Sequence, residues 1–140
     1  MPQHMIEIAT DEEVRSGVLG RKLRQFNYGV VGEYAEVQPI WLNTKDDQGH
    51  LAAGLRGFVF LDWFKIELLF VEETQRTQGL GSALLAHGED LARAKGAKNA
   101  WLDTFEWQAR GFYMKQGYAE FGRIDGFIQN YYLALMKKAL

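Results

Sequence analysis

The chain has 140 residues, of which 47% are hydrophobic and 14% aromatic, so it has the size and apolar content of one domain, residues 1–140, with a single core. Its 16 basic and 18 acidic residues give a net charge of −2 without a long run of either sign, which argues against nucleic acid and anionic membranes as partners. The absence of cysteine excludes disulfides, thiolate catalysis and cysteine-based metal sites.

The first half of the chain is predicted to form a strand, a helix and a meander of strands. "MIEIAT" at residues 5–10 alternates as a short strand does, and Thr10 or Asp11 is the expected N-cap of a helix that reaches about Gln25, before "NYGVVG" breaks it. "YAEVQPIWLNT" and "LAAGLRGFVFLD" flank the turn formers of "KDDQGH" and therefore predict a hairpin.

The next strand, "WFKIELLFV" at residues 63–71, is predicted to be central in a sheet. Strict alternation places two sets of side chains on opposite faces. One set is Lys65, Glu67, Leu69 and Val71, and the other is Phe64, Ile66, Leu68 and Phe70. Because the second set is wholly apolar, this strand is expected to lie in the centre of the sheet.

The second half alternates helices and strands. A helix is predicted from about Gly81 to Lys95, with Gly96 as its C-cap. Its core stripe is predicted to be Leu80, Leu84, His87 and Leu91. "NAWLDTF" follows as a strand, "WQARGFYMKQ" as a short helix, and "YAEFGRI" and "NYYLALMK" as closing strands. This order predicts an α/β fold in which helices flank a mixed sheet.

Residues 75–82, "QRTQGLGS", join the central strand to the following helix. Glycines at this point let the backbone approach a ligand, and the free N–H groups of a helix start bind anions. Side-chain donors are added by Arg76, Thr77, Gln78 and Ser82. A Walker loop would require a lysine after a glycine, and a dinucleotide fingerprint would require a third glycine where Leu84 stands. The loop therefore predicts a phosphate or pyrophosphate site of a different type.

The spacing Arg76-x-x-Gly79-x-Gly81 after a central strand resembles the acetyl-coenzyme-A loop of the GNAT superfamily of N-acetyltransferases. Downstream, "WLDTFEWQARGFYMKQGY" is similar to the second GNAT signature, in which a strand and a short helix with an aromatic-Tyr pair precede a glycine and an aromatic residue. "LDTFEWQARGFY" also resembles a subgroup of small bacterial GNAT proteins. The resemblance covers roughly residues 30–136. It implies a mostly antiparallel sheet splayed between two strands and acetyl-CoA as the acyl donor, with no metal.

The resemblance also implies roles for individual residues. The backbone N–H of Leu69 is expected to face the acetyl oxygen, and Val71 to pair with the pantetheine arm. The pyrophosphate is expected on the backbone amides of Arg76, Thr77, Gln78, Gly79, Leu80, Gly81 and Ser82. Tyr113 matches the family's usual general acid, since a hydroxyl with a pKa near ~10 stays protonated at neutral pH.

The general base is open between two carboxylates. Glu67 is expected on the same strand face as Leu69, and Asp103 lies near the end of the neighbouring strand. Each has a structural alternative, such as an ion pair with Lys65. Glu106 stands where many GNAT proteins carry an asparagine that contacts the cofactor arm, so that contact is lost or is supplied by Gln108.

The expected activity is direct transfer of an acetyl group from acetyl-CoA to a primary amine in a ternary complex, by a cytoplasmic enzyme. The alternative is a non-catalytic acyl-CoA-binding or regulatory domain with the same fold. No G-x-S-x-G or HExxH motif supports another chemistry. The amine, a small molecule or peptide, is expected between the first helix with residues 27–34 and the aromatic-rich residues 123–132. A homodimer is a family expectation.

Overall fold

The structure is a computed structural model that describes residues 4–140, which divide into two units. The first unit ends at Tyr34 and the second is Ala35–Leu140. In the first unit, helix α1 is Asp11–Ser16 and helix α2 is Val18–Val31. Thr10 is the N-cap of α1, because its hydroxyl accepts the Glu13 N–H and the Glu13 carboxylate accepts the Thr10 N–H.

Two predictions for this unit are wrong. Residues 4–10 form no strand, since a strand needs a hydrogen-bonded partner and the described chain provides none for them. The single helix predicted to end near Gln25 is instead two helices, α1 and α2, separated at Gly17, whose φ is 70°. The second continues to Val31 and stops at Gly32, whose φ is 84°. Gly29 lowers helix stability by about 1 kcal/mol without breaking it. The last turn is supported by Tyr28, whose ring packs edge-on against Tyr34 and whose hydroxyl donates to the Tyr34 carbonyl.

The second unit is a six-stranded sheet with two helices. Its strands are β1 (Gln38–Lys45), β2 (Leu51–Phe60), β3 (Trp63–Val71), β4 (Asn99–Phe105), β5 (Ala119–Ile128) and β6 (Tyr131–Ala139). Helix α3 is Leu80–Ala94 and helix α4 is Arg110–Lys115. The strand order is β1-β2-β3-β4-β6-β5, and only β3 and β4 are parallel. The predicted mixed α/β, mostly antiparallel sheet is confirmed.

Strands β3 and β4 separate along most of their length. Their parallel ladder joins only Trp63–Lys65 to Asn99–Trp101, although both strands continue beyond it. On the outer sides, β2 stays paired to β3 and β6 stays paired to β4. The sheet is therefore splayed between these two parallel strands, as the family resemblance predicts.

A β-bulge at Glu67 changes which side chains of β3 share a face. Its register with β2 pairs Gly57 with Ile66 but Arg56 with Leu68, so Glu67 is the extra residue. Beyond it, Leu69 pairs with the fully buried Leu55 and therefore lies on the core face. The predicted alternation was consequently wrong after Ile66: Leu69 and Val71 share the face of Phe64 and Ile66, while Leu68 and Phe70 lie on the opposite face.

The core-facing residues of α3 also differ from the predicted stripe. The helix begins and ends within one residue of the prediction, and Gly96 follows it with φ 95°. Its buried residues are Leu84, Leu85, Gly88, Glu89 and Ala92. His87 is exposed, because the buried face is centred on Leu85, Gly88 and Ala92 rather than on the predicted stripe.

Glu89 is a buried carboxylate that the sequence pattern did not predict. It accepts a 2.7 Å hydrogen bond from the Tyr118 hydroxyl and pairs with the Lys138 ammonium at 3.0 Å. These contacts satisfy a charge that would otherwise be costly to bury. They also tie α3 to the segment after α4 and to β6, so they hold the two helices against the same side of the sheet.

Candidate active site

A cleft of about 680 Å³ opens where β3 and β4 separate. Its walls come from the second half of β3, the end of β4, the loop before α4 and α4 itself. Seven of the residues predicted to serve the site line this cleft: Glu67, Leu69, Val71, Arg76, Gly81, Asp103 and Tyr113. The other predicted residues lie in the adjacent loop or in the first turn of α3: Thr77, Gln78, Gly79, Leu80 and Ser82.

The backbone of β3 presents hydrogen-bonding groups to this cleft. The N–H of Glu72 donates to the Ala52 carbonyl at 2.8 Å and so faces β2. Because backbone groups alternate in direction along an antiparallel strand, the N–H groups of Leu69 and Val71 face away from β2 and toward the cleft. The parallel ladder with β4 has already ended at Lys65. This edge of β3 is therefore open to an added hydrogen-bonding chain.

Arg76 extends from the loop to this open edge. Its Nε donates to the Val71 carbonyl at 2.8 Å, and its guanidinium lies 5.7 Å from the centre of the Phe70 ring. The single backbone contact leaves four of the five guanidinium N–H donors for other acceptors. The loop end of the cleft consequently carries a positive charge.

The loop before α3 uses two left-handed residues to reverse direction. Thr77 has φ 76° and Gly79, the N-cap of α3, has φ 77°. Glycine adopts this conformation freely, whereas a β-branched threonine is strained in it. At the N-terminus of this 15-residue helix, the first N–H groups have no intrahelical partner and favour an anion.

Gly81 and Ser82 bring α4 close to the start of α3. A Cβ on Gly81 would lie 3.3 Å from Cζ of Phe112, so the glycine allows this ring to pack against the helix. The Ser82 hydroxyl accepts a 3.0 Å hydrogen bond from the Gln116 amide. Gly81 therefore has a packing role in addition to the ligand approach that the sequence predicts.

Tyr113 is a buried residue of α4 that lines the cleft. Its ring packs edge-on against Phe112 and Tyr118, and the second of these is fixed by Glu89. Burial, and secondarily the negative charge of Asp103, raise the pKa of the Tyr113 hydroxyl to about 12. The hydroxyl is therefore protonated throughout the neutral range and acts as a hydrogen-bond donor.

The two candidate carboxylates have different surroundings. Asp103 accepts a 2.7 Å hydrogen bond from the Lys65 ammonium, which also lies 3.8 Å from the centre of the Trp101 ring. This ion pair joins Lys65, which belongs to the last residue pair of the β3–β4 ladder, to Asp103, two residues further along β4. Within residues 4–140, Glu67 makes no ion pair or side-chain hydrogen bond. The structural alternative considered for both residues therefore applies to Asp103.

Glu106 has a structural contact of its own. Its carboxylate accepts from the Tyr132 N–H at 3.2 Å, and its backbone N–H donates to the Tyr132 carbonyl at 3.0 Å. Gln108, which lines the cleft, accepts the Phe105 N–H at 2.8 Å through its amide oxygen. In these contacts Gln108 uses its amide oxygen, so its amide N–H donors are not engaged. A carboxylate such as Glu106 has no comparable donor, so Gln108 is the better candidate to replace the asparagine that many GNAT proteins carry at the position of Glu106.

Sequence reasoning missed Arg56, which lies next to the bulge, and named Trp41 only among several aromatic residues that could suit a small cation. Trp41 and Arg56, together with Glu67 and Leu68, line a second cavity of about 670 Å³ on the β1, β2 and β3 side of the site. Register places them side by side, since Trp41 pairs with Arg56 and Arg56 with Leu68. An arginine in an otherwise apolar strand, "LAAGLRGFVF", was the available signal.

No three histidine or carboxylate side chains of residues 4–140 converge as metal ligands. None of the helices in the described part of the chain has the length and apolar content needed to cross a membrane.

Comparison with known proteins settles the family. The model of the acetyltransferase (GNAT) family matches residues 7–118, which is most of the chain. The chain belongs to the GNAT acetyltransferase family. The six-stranded mixed sheet flanked by helices is thus the fold of a GNAT domain in this chain.

Three relatives illustrate the similarity. The blasticidin-S acetyltransferase of Streptomyces morookaense is 41% identical over 73 residues, which are 51% of this chain and 54% of that protein. Acetyltransferase Atu2258 of Agrobacterium fabrum is 30% identical over 99 residues, covering 71% of this chain and 72% of that protein. A crystal structure of an acetyltransferase from Bacillus cereus superposes with a TM-score of 0.85 at 28% identity and covers 98% of both chains.

Proposed function

We propose that this GNAT protein transfers an acetyl group from acetyl-CoA to a primary amine of a small molecule or peptide. The observation that carries the proposal is the cleft between β3 and β4, in which an open backbone edge, an unpaired carboxylate and a protonated tyrosine meet. Acetyl-CoA is the donor that family membership implies. The acetyltransferase relatives support the same reaction type.

The cofactor is proposed to lie along β3. Its pantetheine arm would bond to the backbone of Val71, and its pyrophosphate would lie on the amides from Arg76 to Ser82 at the start of α3. The hydrogen bond from Arg76 to the Val71 carbonyl would break, so that this carbonyl could accept from the pantetheine instead. The guanidinium of Arg76 would then lie near the phosphates. The Leu69 N–H would then face the acetyl oxygen and stabilise the negative charge that develops there.

The chemical step is proposed to be direct attack in a ternary complex. The amine nitrogen forms a bond to the acetyl carbon, and the C–S bond breaks as the tetrahedral intermediate collapses. Glu67 accepts the proton of the attacking nitrogen through water. The thiolate of coenzyme A leaves with a hydrogen bond from Tyr113 and takes its proton from solvent. Glu67 is preferred to Asp103 as the base because Asp103 is already neutralised by Lys65.

We expect Glu67→Gln to lower kcat for amine acetylation by about 10- to 100-fold, because the amide cannot accept a proton. The dissociation constant of acetyl-CoA should not change. Free thiol released from acetyl-CoA in the presence of an amine panel measures the rate. Asp103→Asn is the matched comparison, and a larger loss for Asp103→Asn than for Glu67→Gln would contradict the assignment of the base.

The cofactor loop is proposed to hold pyrophosphate mainly through its backbone. We therefore expect Gly79→Val to weaken acetyl-CoA binding by at least about tenfold, since valine is strained at φ 77° and the amides would move. Replacement of the Gln78 side chain by alanine should change binding by less than about threefold. Isothermal titration with acetyl-CoA measures both, and equal losses would contradict backbone binding.

The same thiol assay distinguishes the alternative of a non-catalytic acyl-CoA-binding domain. Binding of acetyl-CoA without thiol release in the presence of any amine of the panel would favour that alternative.

The proposal also includes one GNAT domain over residues 1–140, since the family model spans the junction of the two units. A cytoplasmic location, where acetyl-CoA is available, and a homodimer remain parts of the proposal. The homodimer is an expectation from family membership.

A further inference from the structure

We propose that Arg56 binds an anionic group of the acceptor, so that the preferred acceptors are amines that also carry a carboxylate or a similar oxyanion. This inference rests on the proposed acetyl transfer, because it concerns the amine side of the same site. It assigns the cavity of about 670 Å³ lined by Trp41, Arg56, Glu67 and Leu68 as the acceptor subsite.

The two cavities meet at the bulge of β3. Glu67 and Leu68 line both the cleft between β3 and β4 and the cavity beside Arg56. An acceptor in the second cavity therefore lies next to Glu67, the proposed base, and close to the cleft in which the acetyl group is proposed to bind. The register pairs Trp41 with Arg56 and Arg56 with Leu68, so these three side chains share one face of the sheet.

Arg56 is held in place by neutral acceptors. Its Nη1 donates to the carbonyls of Leu42 at 3.0 Å and Leu55 at 2.9 Å, and its Nη2 donates to Oδ1 of Asn43 at 2.9 Å. These bonds use three of the five guanidinium N–H donors and leave two. They fix the side chain before any ligand arrives, which lowers the entropy cost of binding.

The charge of Arg56 is not compensated by the protein. Among the ion pairs of residues 4–140, none includes Arg56, in contrast to Arg93, Arg110 and Arg123. A guanidinium with no carboxylate partner and two remaining donors is suited to a carboxylate or phosphate oxygen. The cavity therefore offers an anion-binding group at a fixed position.

Gly54 makes this arrangement possible. It lies two residues before Arg56 on the same face of β2, and a Cβ there would be 3.2 Å from the Leu42 carbonyl oxygen and 3.5 Å from Nη1 of Arg56. The missing side chain leaves room for the guanidinium to reach β1. The sequence of β2 thus supplies both Arg56 and, through the missing side chain of Gly54, the room that its guanidinium occupies.

The charges of the cavity select for an amine that is also an anion. Glu67 attracts the ammonium group and is placed to accept its proton, while Arg56 attracts an oxyanion on the same molecule. An amine without an anionic group would meet the unpaired positive charge of Arg56. The side chains of Trp41 and Leu68 provide an apolar flank for the remainder of the acceptor.

The test compares three amines that differ at one group: L-phenylalanine, L-phenylalaninamide and 2-phenylethylamine. The amide is a weaker base than the amino acid and phenylethylamine is a stronger base, so amine basicity alone would not favour the carboxylate over both. We expect kcat/KM for L-phenylalanine to exceed both others by at least about tenfold, measured by thiol release from acetyl-CoA. Equal or lower values for L-phenylalanine in the wild-type protein would overturn the inference.

Variants then locate the effect. Arg56→Gln should reduce the preference for the carboxylate to less than about threefold, and Lys45→Gln, which removes a positive charge at the end of β1, should retain it. Retention of the preference in Arg56→Gln would overturn the inference. Acetyl-CoA binding by each variant shows that it is folded.

Equilibrium dialysis of L-phenylalanine and 2-phenylethylamine in the presence of coenzyme A separates this inference from the proposed function. Tighter binding of L-phenylalanine that depends on Arg56, without thiol release, would uphold the anionic subsite and overturn acetyl transfer. Thiol release from all three amines at equal efficiency would uphold acetyl transfer and overturn the subsite.

Discussion

Replacement of Tyr113 by phenylalanine is expected to lower kcat for amine acetylation by about 100-fold while the dissociation constant of acetyl-CoA stays the same. The substitution removes one hydroxyl and keeps the ring that packs against Phe112 and Tyr118. The loss falls on kcat because the hydroxyl is proposed to contact the sulfur only as the C–S bond breaks. Thiol release at saturating acetyl-CoA measures it.

The raised pKa of Tyr113 bears on the role proposed for its hydroxyl. With a pKa of about 12, the hydroxyl is a far weaker acid than a typical thiol, whose pKa is near ~8.5. Complete proton transfer to the departing thiolate is therefore uphill, and in the proposed mechanism the hydroxyl stabilises the thiolate by a hydrogen bond instead. In this proposal, the general-acid role that the family resemblance implies becomes hydrogen-bond donation.

The direction of the shift also predicts the pH dependence. A pKa raised from 10.0 to about 12 keeps the donating form of Tyr113 present at every pH below the shifted value. The wild-type kcat should therefore show no decline from this group up to about pH 10.

Tyr118→Phe is the control for Tyr113→Phe. Tyr118 lies in the same aromatic cluster, but its hydroxyl donates to Glu89 instead of facing the cleft. A loss of kcat in that variant as large as in Tyr113→Phe would contradict the assignment.

The parts of the site that sequence predicts are those encoded by neighbouring residues. The spacing of Arg76, Gly79 and Gly81 follows from one loop, and the place of Tyr113 follows from one short helix with its preceding strand. Their position relative to one another could be expected only from the family resemblance, because no local sequence pattern predicts that β3 and β4 separate. The structure brings Arg76, Gly81 and Tyr113 together in one cleft, with Gly79 in the adjacent loop.

The parts that sequence did not predict, or left open, depend on residues far apart in the chain. An ion pair with Lys65 is one alternative that the sequence leaves open for both Glu67 and Asp103. Lys65 and Asp103 are 38 positions apart, and the parallel register of β3 and β4 brings them within 2.7 Å. Arg56 likewise reaches β1 to bond with Leu42 and Asn43. An alternating pattern in β3 also conceals the bulge, since the extra residue is defined by the partner strand.

Gly57 is expected to be the residue of β2 on which the bulge most depends. A Cβ at this position would lie 2.5 Å from the Lys65 carbonyl oxygen and 2.7 Å from Cε1 of the fully buried Phe64 ring. Neither atom belongs to a flexible chain end, because one is backbone and the other is in the core. An alanine therefore has to push β2 and β3 apart immediately before Glu67.

We expect Gly57→Ala to reduce the free energy of unfolding by about 2 to 4 kcal/mol, from overpacking at a site that cannot relax, and to lower kcat/KM by at least tenfold. The second effect follows because displacement of β3 moves both Glu67 and the Leu69 N–H relative to the cleft. Gly20→Ala is the matched control: Gly20 has no atom within 4 Å of its added Cβ and lies in α2, where alanine is favoured over glycine. Its Tm should be unchanged or higher. A Gly57→Ala protein with the wild-type Tm and the wild-type kcat/KM would show that the close pairing of β2 with β3 at the bulge is not required for the active geometry.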